Sequence, residues 1–157
     1  MNNGDIKVDD KEVLKALANL SWRQMNKAYK NGMKKSLDPI LKQTKVNLRA
    51  SGIKNVSKPY YGKGGKKYIS MVQGVKSSVY IGNTEDSFGK VHIMKEFRLK
   101  WFEKGTGMRK TKKGANRGSI SPKWFFRSAV DAKAKEAEQN LDKNISESIM
   151  KAWDNKK

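Results

Sequence analysis

From Trp22 to Leu48 the residues Trp22, Met25, Tyr29, Met33, Leu37, Ile40, Leu41, Thr44 and Leu48 recur every three or four positions. That spacing lines one face of an α-helix and suits no strand. Ser21 stands just before the stripe as a helix N-cap, and Ser51-Gly52 closes it. The pattern therefore predicts one amphipathic helix to about residue 50, roughly 45 Å long at 1.5 Å per residue. Pro39 falls inside it. A proline there removes a main-chain hydrogen bond, so a kink is expected, or two helices that break near Asp38. Ahead of this helix, Asp9 and Asp10 precede Val13, Leu14, Leu17 and Leu20 on one face. Acidic residues suit a helix N-terminus, which predicts a first short helix over 10–20.

The middle of the chain reads differently. Residues 52–67, GIKNVSKPYYGKGGKK, are rich in Gly and Lys and predict a basic loop. YISMVQGV (68–75) and KSSVYIGN (76–83) are β-rich and would pair through a turn near Gly74, with a second turn over 83–89. Beyond it, Val91, Ile93, Phe97, Leu99 and Trp101 alternate onto one face, which suits a long strand with an irregular piece near Glu96. A three- or four-stranded antiparallel meander over 68–103 is the expectation. Residues 104–121 hold many Gly and cations and nothing to bury, so they predict a mobile basic loop. Ser121-Pro122 then suits a helix start. Phe126, Val130, Ala134, Ala137, Leu141, Ile145, Ile149 and Trp153 continue as a helix to about 153. The order ααβββα is an α+β fold: a long N-terminal helix and a C-terminal helix packed on a small antiparallel sheet. With 157 residues, the chain suits one domain with its own core, preceded by a flexible N-terminus over 1–8.

Charge is the strongest global signal. The net charge is +20, and it is regional: from Pro39 to Thr84 there are nine Lys or Arg and no acid, and from Lys104 to Ser128 eight and no acid. Residues 129–157 carry six Lys against six acids. A chain of this kind meets polyanions. Chemistry is sparse by contrast. There is no Cys, which removes disulfides, cysteine zinc sites and thiol nucleophiles. His92 is the only histidine, placed by alternation on the polar side of a strand, and no nucleophile elbow accompanies it. Glu85 and Asp86 are adjacent in a turn, which suits solvation better than acid–base work. GKGGKK (62–67) lacks the strand-before, helix-after setting and the full pattern of a phosphate loop. No cofactor, no metal and no enzymatic activity are expected. No apolar h-region or membrane-length run is visible, so the chain is expected to be soluble and intracellular at synthesis.

Binding remains. Lys63, Lys66 and Lys67 in the first basic loop and Lys110, Lys112, Lys113 and Arg117 in the second are the candidate contacts for an acidic partner or for DNA, with Tyr60 and Tyr61 able to stack on bases. No sequence-specific nucleic-acid motif is present. The aromatics that flank the second loop, Trp101, Phe102, Trp124, Phe125 and Phe126, cannot all face one side of regular elements. One or two of them are expected at a protein interface.

FEKGTG (102–107), a variable loop, and SPKWFFRSAVD (121–131) leading into a helix resemble a pattern in the siphophage tail-completion or head–tail joining (neck) proteins. That family often shows EFGT followed by ARPFLRPA. Glu103, Gly105 and Thr106 match the first piece, with Lys104 where Phe is usual, and Pro122, Phe125, Arg127 and Ala129 match the second. GVKSSVYIG (74–82) looks like the strand before them, and the long N-terminal helix with a proline partway also fits. The resemblance covers roughly residues 10–153. It departs where the family often has P-V-D-T-G-x-L; this chain has KPYYGKGGKKYISM.

The resemblance implies a structural virion protein. It would form a homo-oligomeric ring, usually six-fold, between the connector or stopper ring and the tail-terminator or tail-tube proteins. DNA would pass through the ring on ejection, with nonspecific DNA contact possible and no membrane role. It would be found in the virion neck, and in the host cytoplasm during assembly. Trp101, Phe102, Glu103, Trp124, Phe125 and Arg127 would anchor the 104–121 loop or form the interface, with Glu103 paired to Arg127. The alternative is a nonspecific basic nucleic-acid-binding protein; a basic toxin or nuclease is a third option that the missing His and carboxylate constellation disfavours.

Overall fold

The computed structural model describes residues 10–54, 56–82 and 87–155. The expected flexible stretch 1–8, Asp9, and the centre of the 83–89 turn with Glu85 and Asp86 lie outside the described residues. The fold is α+β and mostly helical.

Helix α1 (Asp10–Asn19) is followed by α2 (Trp22–Ala50), separated by Leu20 and Ser21. Ser21 builds a capping box. Its hydroxyl oxygen accepts from the Gln24 N–H, and the Gln24 side chain accepts from the Ser21 N–H at 3.0 Å. The 29-residue helix runs through Pro39 as one element, about 43 Å long. Of the two sequence readings, the unbroken helix stands. Its buried line differs from the expected stripe, however. Ala28, Gly32, Met33, Ser36, Ile40, Thr44 and Leu48 face inward, while Trp22 is exposed and Leu37 and Leu41 are half-buried.

The reason is a seam of small residues. A Cβ on Gly32 would lie 2.5 Å from the Ile145 Cα, so the two helix backbones approach closely there. The Ser36 hydroxyl bonds the Gly32 carbonyl at 3.1 Å and accepts from the Asn144 amide at 3.1 Å. The expected C-terminal helix is two helices, α4 (Phe125–Gln139) and α5 (Leu141–Asp154), which meet at Asn140. Both pack along α2.

The meander is replaced by three separate two-stranded antiparallel ribbons. The first basic loop contains β1 (Tyr60–Tyr61) paired with β2 (Lys67–Tyr68) around a tight turn at Lys63–Gly65. The expected strand over 68–75 ends at Tyr68. Ser70 and Gln73 exchange side-chain to main-chain bonds of 3.4 and 3.3 Å, a second capping box that turns the chain at Val72–Gly74. β3 (Lys76–Tyr80) pairs with β4 (Phe88–His92) in the register Ser78↔Lys90. The expected long strand stops at His92. Turns carry residues 93–98, and α3 (Leu99–Lys104) follows. Alternation fails here because the buried residues are Ile93, Glu96 and Leu99, three apart, while Phe97 is exposed.

The mobile loop expected over 104–121 is a hairpin of β5 (Thr106–Lys110) and β6 (Asn116–Ile120). Local polar bonds hold it rather than burial. The Thr111 N–H donates to the Ala115 carbonyl at 2.8 Å, the Ala115 N–H returns to the Thr111 hydroxyl at 3.0 Å, and the Ile120 N–H donates to the Thr106 hydroxyl at 3.0 Å.

Two cores result. Leu48, Ile53, Met71, Val75, Ile93, Leu99 and Phe125 form one, where the C-terminal half of α2 meets the ribbon region and α4. Ala16, Leu20, Ala28 and Ile149 form the other, where α1 and α5 close over the start of α2.

Candidate interaction surface

Helix α4 begins at Phe125, not at Ser121-Pro122. Its exposed N–H groups find their acceptor on another element. The Glu103 carboxylate, 5% exposed, reaches from α3 and accepts from the Phe126 and Arg127 N–H groups, both at 2.8 Å. A carboxylate at a helix N-terminus satisfies unpaired donors and meets the positive end of the helix dipole. The expected Glu103–Arg127 side-chain pair is therefore corrected: Glu103 binds the Arg127 main chain. The Arg127 guanidinium sits 3.8 Å from Asp131 on the open face of α4. Two further main-chain bonds close the joint, from the Lys123 N–H to the Phe102 carbonyl at 2.8 Å and from the Trp124 N–H to the Glu103 carbonyl at 3.3 Å.

This joint sorts the flanking aromatics. Phe125 is fully buried, and Phe102 and Phe126 are half-buried against the same core. Trp101 and Trp124 remain 38% and 44% exposed. Trp124 has φ 48° and ψ 27°, and it is the only non-glycine with positive φ among the described residues. Its indole lines a groove of about 710 Å³ with Trp101, Val91, Met94, Phe126 and Val130. His92, expected on the polar side of its strand, is half-buried in the groove wall. Phe97 supports Trp101 edge-on, with ring centres 5.2 Å apart.

The candidate cations fall into two groups. Lys110, Lys112, Lys113 and Arg117 are all exposed on the β5–β6 hairpin, and Lys63, Lys66 and Lys67 are exposed on the β1–β2 hairpin. Tyr60, offered as a base-stacking residue, is already engaged. It stacks on Tyr68 with ring centres 5.0 Å apart, and the Arg98 guanidinium lies 4.3 Å above it. Tyr61 is the free ring of the pair.

Arg98 itself was not legible as a key residue. Its Nε and Nη2 bind both oxygens of buried Glu96 at 2.5 and 2.7 Å, and removal from water lowers its pKa from the usual arginine value. This buried pair fixes the turn before α3 and ties the first hairpin to it. The next cleft along, behind Trp101, is lined by Lys54, Arg98, Arg109 and Lys123 and by no acid.

Among the described residues, no group of three or more His, Asp or Glu side chains is placed to hold a metal ion, and no helix is long and apolar enough to cross a membrane. No protein-family model, curated protein or solved structure matches this chain.

Proposed function

We propose that this protein is a structural neck component of a tailed bacteriophage, a tail-completion or head–tail joining protein that assembles as a ring and touches the rings above and below it. It works by binding rather than by catalysis. The observation that carries the reading is the Glu103 joint. The two short sequence pieces that resemble the neck family, around Glu103 and around Phe125–Arg127, are bonded to one another by two 2.8 Å hydrogen bonds. A resemblance spread over two segments thus has one physical meaning: a base from which the 106–120 hairpin projects. The hairpin carries Lys110, Lys112, Lys113 and Arg117 on exposed positions with no acid among them, which suits an acidic neighbouring ring or the DNA that passes through the channel.

The test is electron microscopy of lysates from the phage that carries this gene, with the gene silenced. Filled heads beside separate, finished tails are expected. Intact, joined particles would refute the reading and leave nonspecific nucleic-acid binding to account for the charge.

A further inference from the structure

We propose that the Trp101–Trp124 groove is a docking site for an acidic protein segment that inserts one bulky apolar side chain. The first argument is backbone strain. A left-handed tryptophan costs about 1–2 kcal/mol relative to an ordinary conformation, and such strain concentrates where function demands it. Burial of the Trp124 side chain does not account for it, because Trp124 is 44% exposed. The conformation is held by the Trp124 N–H bond to the Glu103 carbonyl and by the Ser128 N–H bond to the Trp124 carbonyl at 2.9 Å. With it, Trp124 lines the groove together with Trp101.

The second argument is the lining. Val91, Met94, Phe126 and Val130 complete an apolar trough, and Met94 is 58% exposed. Aromatic and methionine side chains of this kind mark the centre of protein interfaces.

Charge selects the occupant. Three cations reach the groove, Lys100, Lys104 and Arg127, against Glu103 and Asp131. Arg127 faces Asp131, and both Glu103 oxygens are taken up by main-chain N–H groups. Lys100 and Lys104 are left uncompensated at the rim, and the acid-free cleft behind Trp101 extends the positive field. A second copy of a chain with net charge +20 is disfavoured by that field, and a nucleic-acid strand, able to stack a base on an exposed indole, has little to fill the aliphatic wall of Val91, Met94 and Val130. An acidic segment with an apolar anchor satisfies both the rim and the floor. The assignment goes beyond the neck reading and does not depend on it.

The probe is a fluorescein-labelled, end-blocked decapeptide with Leu-Phe at its centre and Asp or Glu elsewhere, titrated with the full chain. Two control peptides replace either the acids by Asn and Gln or the Leu-Phe pair by Ser and Gly. Micromolar binding of the acidic, anchored peptide is expected, weakened by about tenfold or more in each control. Trp124→Asn keeps a residue that tolerates positive φ and should weaken binding by about tenfold, with circular dichroism unchanged. Lys143→Gln/Lys151→Gln, exposed on α5 and outside the groove lining, should stay within about twofold. In NMR spectra, the indole N–H signals of Trp101 and Trp124 should shift on binding.

Three results would overturn the proposal. Equal binding of the anchorless acidic peptide would reduce the effect to net charge. Unchanged affinity in a folded Trp124→Asn chain would place the contact elsewhere. Concentration-dependent self-association that Trp124→Asn abolishes would give the groove to a second copy.

Discussion

The Glu103 joint makes a sharp claim about stability. In Glu103→Gln the side chain keeps its shape and one acceptor oxygen, but its amide now faces one of the two N–H groups at the start of α4. Hydrogen bonds to a charged partner contribute about 1.5–3 kcal/mol each. Glu103 is nearly fully buried, so water cannot replace the lost acceptor. Losing one bond and the interaction with the helix dipole should cost about 2–3 kcal/mol, and Glu103→Ala, which removes both bonds, about 3–5 kcal/mol. Those are large fractions of the roughly 5–15 kcal/mol that holds a domain folded. Arg127→Ala is the companion, because its side chain is exposed and faces only Asp131. It should cost less than about 0.5 kcal/mol. Urea unfolding followed by circular dichroism reads both. With a slope of about 1–3 kcal/mol per molar urea, Glu103→Gln should lower the midpoint by about 1 M and Arg127→Ala barely at all. Equal losses in the two variants would restore the side-chain pair and refute the capping argument. An unshifted midpoint in Glu103→Gln would refute the joint altogether.

Further outcomes follow from packing and charge. Gly32→Ala should destabilise by about 1–3 kcal/mol in thermal unfolding, because the new Cβ meets the α5 main chain, although Ala is the better helix former by about 1 kcal/mol. Phe125→Ala should cost about 3–5 kcal/mol in the same assay, since it empties the centre of the larger core. Ser21→Ala removes the capping box of α2 and should cost about 1 kcal/mol. If the β5–β6 hairpin binds DNA, replacing Lys110, Lys112, Lys113 and Arg117 by Gln should flatten the slope of log affinity against log salt for a duplex by up to about 3.6. An unchanged slope would assign the hairpin to protein partners instead.

Helices α1 and α2 were legible in the sequence because their apolar spacing and caps are local; short α3 and the break at Asn140 between α4 and α5 were not. Ser21 marked the start of α2, and the structure uses it in a capping box with Gln24. The inward face was read too far toward large residues. The small-residue line Ala28, Gly32, Ser36 at spacing four was the available signal for close helix contact, and it outweighs Trp22. The ribbons were harder. Val91, Ile93, Phe97, Leu99 and Trp101 mimic a strand, yet a turn intervenes because Glu96 is drawn inward by Arg98, a partner two residues away that alternation cannot express. Ser70-x-x-Gln73 repeats the capping-box pattern and could have ended the strand reading there. The second hairpin has almost no buried side chain, so hydrophobic patterning had nothing to report. Of the flanking aromatics, the structure buries Phe125, half-buries Phe102 and Phe126 and leaves Trp101 and Trp124 exposed. The strained backbone that aims Trp124 has no signature in the sequence.

The smaller core has a consequence for biosynthesis. Its apolar residues come from α1 and the first turns of α2 on one side and from α5 on the other. As the chain leaves the ribosome, the N-terminal helices emerge long before the segment that covers them. During that interval Ala16, Leu20 and Ala28 lack Ile149 and the α5 residues around it, and the uncovered surface is open to chaperones or to the same surface on neighbouring nascent chains. The larger core waits almost as long, since Phe125 fills its centre. Translation must run nearly through the described chain before either core can close, so slowing synthesis lengthens the exposure of the N-terminal half rather than giving it time to fold.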